Sequence, residues 1–280
     1  MGGHMARHLI NAGHSLTVFA RRADATLQYV ALGATAASTP AHAVTNAEFI
    51  FTNVTNTVDV EMVLLGEAGV IHGAKADAIV CDFSTIDVTA TRNIAATLGT
   101  KKIHFLDCPV SGGVAAAEAG TLSIMVGGDD AILARARPLL ASFSRQLFHM
   151  GGIGAGQITK ACNQMVQVVA IQGIAEALHY ANANGADVAK VVEALMAGFA
   201  GSKMLGLMGP KMAARDFAAG IEARLHHKDF ELIIAANQTR TTPLPMPAVA
   251  AVHAQLSKLM SQGLGQMDTC NLLRVLESDK

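Results

Sequence analysis

The chain has no tryptophan, and only 4% of its 280 residues are aromatic. A core of that composition has to be filled by Ala, Val, Leu, Ile and Met. Cysteine is sparse as well: Cys81, Cys108, Cys162 and Cys270 lie far apart and form no CxxC pair. That spacing excludes a disulfide framework and a zinc ribbon and leaves reduced thiols, as in the cytoplasm. An excess of charge of one sign is also missing, with 21 Lys and Arg against 22 Asp and Glu for a formal net charge of −1. The basic residues are scattered rather than gathered into a stripe, so neither nucleic acid nor an anionic membrane is an expected partner. No run approaches the ~20 apolar residues of a bilayer span, and no basic segment followed by an apolar one opens the chain. The expectation is a soluble cytoplasmic protein.

What is present is 51% hydrophobic sequence, long enough for two domains of ordinary size. Up to His149, short apolar runs alternate with amphipathic segments. Leu16 to Phe19, Ala34 to Ala36, Phe49 to Val54, Ile79 to Phe83, Ile103 to Leu106, Leu122 to Val126 and Gln146 to His149 read as strands. Val58 to Leu65, Val88 to Leu98 and Ala131 to Phe143 read as helices between them. Such alternation predicts βαβ units and a mostly parallel sheet covered by helices.

After Gly156 the period changes. Ile158, Ala161, Met165, Val168, Val169, Gln172 and Ala175 recur at helical spacing in one long segment reaching about Asn182. The Gln, Glu and His residues along it mark a buried or interface helix rather than a membrane segment. Asp187 is placed to cap a helix over Val188 to Ala197, with Gly198 as its stop. Phe230 to Asn237 and Ala248 to Gln262 read as further helices, divided by the proline-rich stretch Thr242 to Pro247. An α/β domain over 1–153 followed by an all-helical domain over 154–280 is the expected organisation.

Three glycine-rich segments could hold a nucleotide. Gly151 to Gly156 has GxGxG rather than GxGxxG spacing, with no Lys-Ser or Lys-Thr after it, and reads as a junction. Asp107-Cys108-Pro109-Val110-Ser111-Gly112-Gly113 follows a strand end, where open α/β sheets place ligands. There the Ser111 hydroxyl and the unhindered N–H groups of Gly112 and Gly113 suit a carboxylate, or else the segment is only a tight connection. Gly2-Gly3 directly precedes a helix. Beyond the junction, Lys160 and Asn163 share one helical face. An ammonium beside an amide can polarise a carbonyl oxygen; the alternative is a solvated lysine beside a capping Asn. Arg21 and Arg22 follow the first strand about twenty residues past Gly2, where an acid would select NAD and an arginine accommodates a 2′-phosphate. His226-His227 suggests a metal, but only Glu231 stands at helical ligand spacing from the pair, so no metal is expected.

Taken in order, these segments resemble the β-hydroxyacid dehydrogenase family, which includes the 3-hydroxyisobutyrate dehydrogenases, over essentially the whole chain. The matching residues are Met1-Gly2 with Met5-Ala6, Asp107 to Gly113 with Gly120-Thr121-Leu122, Gly154-x-Gly156-x-x-x-Lys160-x-x-Asn163, and Lys228-Asp229. Within the family, Gly198 to Ser202 and Leu225 to Asp229 are most similar to tartronate semialdehyde (2-hydroxy-3-oxopropionate) reductases. The resemblance implies a Rossmann-type dinucleotide-binding domain followed by a helical domain for substrate binding and oligomerisation. It also implies reduction of the aldehyde of a small 3-oxo acid to the hydroxy acid. Lys160 would be the catalytic acid, supported by Asn163; Ser111, Gly112 and Gly113 would hold the substrate. Met1, Gly2, Arg21, Arg22, Val54, Thr55, Thr85 and Lys228 would approach the cofactor, NADP(H) in preference to NAD(H). The family's Met-Leu-Pro cofactor loop falls on Asn53-Val54-Thr55, a departure that leaves backbone contacts open to Val54 and Thr55. A homodimer or homotetramer is implied. A 3-hydroxyisobutyrate dehydrogenase, or a non-catalytic protein that kept the fold, are the alternatives. The family places a strand and the first two glycines of its GxGxxG turn ahead of Met1, so the expectation is a fold lacking its first strand as written, with the functional start upstream.

Overall fold

A computed structural model describes residues 1–278. The chain divides into two compact units, Met1–Lys160 and a second that begins at Ala161.

In the first unit the elements run α1 (Gly2–Asn11), β1 (Thr17–Val18), α2 (Leu27–Val30), β2 (Thr35–Ala36), α3 (Pro40–Ala43), β3 (Phe49–Thr52), α4 (Thr57–Leu65) and β4 (Ile79–Asp82). They continue with α5 (Val88–Gly99), β5 (His104–Asp107), β6 (Val110–Ser111), α6 (Gly113–Glu118), β7 (Leu122–Gly127), α7 (Asp130–Leu140) and β8 (Ser144–Gly151). β1 and β2 pair in parallel as a sheet of their own, while the other six strands form a mixed sheet in the order β3-β4-β5-β7-β6, with β8 on β7. β3, β4 and β5 are mutually parallel, and β7 runs antiparallel to β5 and β6.

Both faces of the sheet are covered at β4 and β5, which is why these strands read as apolar runs, whereas β8 is mostly exposed. Along β4, Ile79 and Cys81 enter one core with Leu106, Ile124 and Leu133, whereas Val80 enters another with Val60, Leu64, Ile94 and Phe105. Three of the few aromatic rings meet here: Phe51–Phe83, Phe51–Phe143 and Phe83–Phe143 pack edge to face with centroids 5.5, 6.1 and 5.6 Å apart. Asn56, Asp87 and Asp129 cap α4, α5 and α7 by accepting from Asp59, Ala90 and Ile132 N–H.

The helix α8 (Ala155–Ala183) leads into the second unit, followed by α9 (Val188–Ala197), α10 (Lys203–Ala213), α11 (Ala223–Gln238), α12 (Pro247–Ser261) and α13 (Leu272–Ser278). Val168, Ile171, Leu178, Phe230, Val252, Leu256 and Leu272 are among its core residues. Asp187 caps α9 through Ala189 and Lys190 N–H, as its sequence position predicts. Among the described residues no helix is long and apolar enough to cross a membrane, and all four cysteines are free thiols.

Several boundaries differ from the sequence reading for physical reasons. α10 contains Pro210, and its glycines disguise the pattern, yet Leu205, Met208, Gly209 and Met212 share a buried face. α11 starts seven residues before Phe230, because the polar run that hid it contains His226 and Asp229, both buried. β3 ends at Thr52 rather than Val54, since Val54 N–H turns away to donate to Ser84 Oγ at 2.9 Å.

Candidate active site

The parallel strands β3, β4 and β5 end in register, Thr52 beside Asp82 and Asp82 beside Asp107. The carboxyl ends of parallel strands are where open α/β sheets gather ligands, and here each strand ends on a polar residue after an apolar run. Asp82 is fully buried. Its Oδ1 accepts from Thr52 Oγ1 (2.7 Å), Ser84 Oγ (2.7 Å) and Ser84 N–H (3.2 Å), while Oδ2 has no hydrogen-bond partner. Burial pushes its carboxyl up from 3.8 to about 6, against the pull of those hydrogen bonds.

That shift has a sign that can be measured. Between the ordinary value of 3.8 and about 6, the folded chain holds a proton that the unfolded chain has released, so stability falls as pH rises through this window. Asp82→Asn is expected to flatten that slope by about 3 kcal/mol between roughly pH 4 and 6.5, read by urea unfolding at each pH. A slope unchanged by the substitution would exclude Asp82 as its source.

Asp107 anchors the next element. Its Oδ1 accepts Gly154 N–H at 2.8 Å and its Oδ2 accepts Gln157 N–H at 2.9 Å. A carboxylate thus closes the amino end of α8, satisfying donors that the helix cannot satisfy itself. Burial raises the Asp107 carboxyl, and the N–H groups of Gly154 and Gln157 oppose the rise. The approach is close enough that a methyl group at Gly156 would sit 2.5 Å from Met125 O and 2.7 Å from Asp107 O.

Gln157 carries the linkage further. Its Nε2 donates to Ser84 O at 2.8 Å and its Oε1 accepts Ile86 N–H at 3.2 Å, so the side chain grips both neighbours of Thr85. Through Ser84 the linkage reaches Val54, and a methyl group at Gly2 would lie 3.2 Å from Asn53 Cβ. The start of α1, the β3–α4 turn, the Thr85 loop and the start of α8 are therefore joined by successive contacts at one end of the sheet. One helical turn beyond Gln157 is Lys160, 9% exposed. Lysine is almost never buried to that degree without a polar purpose.

The remaining expected residues fall as follows. Ser111 ends β6 opposite Ser123, and Gly112, at φ 128°, takes a backbone conformation that L side chains rarely adopt. Met1 caps α1, and Gly2 is its first residue. Thr55 is exposed in the turn after β3. Arg21 is held by Asp59 at 2.9 Å, whereas Arg22 stands exposed beside it. Asn163 and Lys228 belong to the second unit. Asn163 Nδ2 donates to Gln164 Oε1 at 2.8 Å, and Lys228 Nζ lies 3.0 Å from Asp229 Oδ1. Asp229 in turn accepts from Gln164 Nε2 at 2.7 Å.

The model of the NAD-binding domain of 6-phosphogluconate dehydrogenase matches residues 1–152, and that of the NAD-binding domain of NADP-dependent 3-hydroxyisobutyrate dehydrogenase matches residues 154–276. A 2-hydroxy-3-oxopropionate reductase of Escherichia coli is 36% identical over 99% of this chain and 94% of its own length. A 3-hydroxyisobutyrate dehydrogenase of Pseudomonas aeruginosa is 36% identical over 91% of this chain and 89% of its own. The solved structure of a Mycobacterium tuberculosis 3-hydroxyisobutyrate dehydrogenase with L-serine superposes with a TM-score of 0.90 at 29% identity, covering 99% of this chain and 96% of that one. The chain belongs to the β-hydroxyacid dehydrogenase family.

As a member of that family it is an NAD(P)-dependent oxidoreductase with a Rossmann-type first domain. The residues present fit the dinucleotide. α1 opens on Gly2 and Gly3 with no side-chain cap, so its positive end and its first N–H groups suit a pyrophosphate. What sequence reasoning missed is the linkage behind these positions. Asp107 was visible only as the head of the Asp107–Gly113 segment, with no role of its own, and Gln157 not at all, although an Asp closing an apolar strand was a signal available for Asp82 and Asp107 alike.

Proposed function

We propose that this dehydrogenase reduces tartronate semialdehyde (2-hydroxy-3-oxopropanoate) to glycerate in the cytoplasm, with NADPH preferred over NADH. The observation that carries the reading is Lys160, a buried lysine on the turn of α8 that Asp107 and Gln157 tie to the Thr85 loop. Bound NADPH supplies a hydride to the aldehyde carbon. Lys160 donates a hydrogen bond to the aldehyde oxygen and gives up a proton there as charge develops. Ser111 with Gly112 and Gly113 receives the substrate carboxylate, and Asn163, one turn beyond Lys160 on the same helix, supports the lysine. Met1 and Gly2 hold the pyrophosphate, Val54, Thr55 and Thr85 line the cofactor, and Lys228 approaches it.

The similarity to the 2-hydroxy-3-oxopropionate reductase supports this substrate, and the equal identity of the 3-hydroxyisobutyrate dehydrogenase makes methylmalonate semialdehyde its rival. Turnover on tartronate, methylmalonate and succinic semialdehydes with each cofactor is the deciding experiment. The highest kcat/KM is expected for tartronate semialdehyde with NADPH, and a higher value on methylmalonate semialdehyde would replace the assignment.

Cofactor choice rests on Arg22, since Asp59 already engages Arg21. Arg22→Ala is expected to weaken NADPH binding by about tenfold or more, the scale of one charged hydrogen bond, and to leave NADH binding unchanged. Equal losses for both cofactors would remove Arg22 from the 2′-phosphate site. We further propose a homodimer or homotetramer, which a monomeric mass by light scattering would contradict.

A further inference from the structure

One group of side chains in the second unit takes no part in this chemistry. His227 and Glu231 stand one turn apart on α11, and His253 faces them from α12. One ligand atom from each lies within 4.8 Å of the others, with His227 Nε2 3.8 Å from Glu231 Oε1. The two imidazole rings are nearly parallel, at 15°, with centroids 5.3 Å apart. His253 Nε2 is buried and has no hydrogen-bond partner, a state that costs free energy until something satisfies it. His227 Nε2 shares only a hydroxyl, Ser257 Oγ, at 3.2 Å. The sequence offers His227 and Glu231 as a pair and no more; the third ligand stands 22 residues past Glu231 and is brought in by the packing of α12 on α11.

We propose that His227, Glu231 and His253 form a binding site for a zinc-class divalent ion. Two imidazoles and one carboxylate make up a borderline nitrogen and oxygen donor set, the kind that zinc takes with a water as fourth ligand. Magnesium and calcium ask for more oxygen than one carboxylate provides. Donor atoms around a tetrahedral zinc, at bonds of about 2.0–2.1 Å, stand about 3.4 Å apart. Closing from the present spacing needs movements on the order of 1 Å and a turn of the rings out of their parallel stack, so that lone pairs lying in the ring planes converge on one ion. These are side-chain rotations by Glu231 and the two half-buried rings. The backbones beneath do not have to move. Phe230 and Ile233 on α11, and Val252 and Leu256 on α12, are buried in one core and hold the two helices in place. Glu231 is exposed, which gives the ion a way in. An ion there would pin α11, the helix that carries Lys228, to α12.

The test uses the whole chain, stripped with a chelator, then titrated with zinc alone by calorimetry and with cobalt(II) by visible absorption. One site per chain is expected, with the intense absorption bands of four-coordinate cobalt and a thermal midpoint that rises with zinc concentration. Loss of a residue behind a ligand already weakens metal binding about ten- to a hundredfold. His253→Ala and His227→Ala should therefore each weaken zinc by at least about tenfold. Glu231→Gln, at an exposed position that does not threaten folding, should weaken it as well. Cys162→Ser, which removes the exposed thiol, should leave it intact. Wild-type zinc affinity in His253→Ala or in Glu231→Gln would overturn the proposal, as would the absence of zinc binding by the wild type.

Discussion

Lys160→Ala is expected to lose about two to four orders of magnitude in turnover, the usual worth of a positioned general acid, while NADPH affinity is unchanged. The two readouts separate because different elements hold them. Of the proposed cofactor contacts, those on α1, in the turn after β3 and in the Thr85 loop are linked to one another through Asn53, Ser84 and Gln157, and Arg22 and Lys228 stand elsewhere, before α2 and on α11. Lys160→Arg should not rescue: guanidinium keeps the charge, but it does not release a proton. Stopped-flow hydride transfer and a fluorescence titration with NADPH measure the two quantities. Near wild-type turnover in the alanine variant would remove Lys160 from the chemistry, and a parallel loss of NADPH binding would make it a cofactor residue instead.

Gly156→Ala is expected to cost about 3 kcal/mol or more, at the upper end of overpacking and beyond most surface changes. The added methyl would meet Met125 O at 2.5 Å, Asp107 O at 2.7 Å and Asp107 Oδ2 at 2.8 Å. Two of these are backbone carbonyls of β7 and β5, and the third is the buried carboxylate that closes α8, so none can step aside. The helix would have to lift from the sheet and surrender its bonds to Asp107. Gly173, in the same helix, has nothing within 4 Å of where a Cβ would stand. Gly173→Ala should stabilise by roughly 0.5–1 kcal/mol, the ordinary helix preference for alanine. Calorimetric melting of both variants gives the comparison. If the two behave alike, close approach at Gly156 is not what holds α8.

Much of this was legible in the linear pattern because the physics was local. The alternation of β3, β4 and β5 with helices, the 29-residue span of α8 and the capping of α9 by Asp187 all follow from neighbours within a turn or two. Lys160, Ser111 and Gly2 were legible as motif members. What was not legible depends on partners distant in the chain. Asp107 acquires its role only when β5 is laid beside the start of α8, 47 residues on. Gln157 looks like any helical glutamine until Ser84 O and Ile86 N–H are brought to it. α10 was hidden by Pro210, whose cost of about 3 kcal/mol inside a helix is offset by the burial of Leu205, Met208 and Met212.

The donors that tie α8 to Asp107 belong to the main chain of Gly154 and Gln157. Exchanges of side chains along the helix leave them in place unless they remove the N–H, as proline at 157 would, or push the main chain away, as a methyl at 156 would. The address of the proposed proton donor is thus kept in two characters, a carboxylate on β5 and a missing carbon at position 156, and the rest of α8 is released from guarding it. Exposed positions such as Cys162, Val166 and Gly173 are open to drift while the lysine stays where it was. A library that varies those positions and leaves Asp107 and Gly156 untouched would be a search for new specificity at nearly constant chemistry.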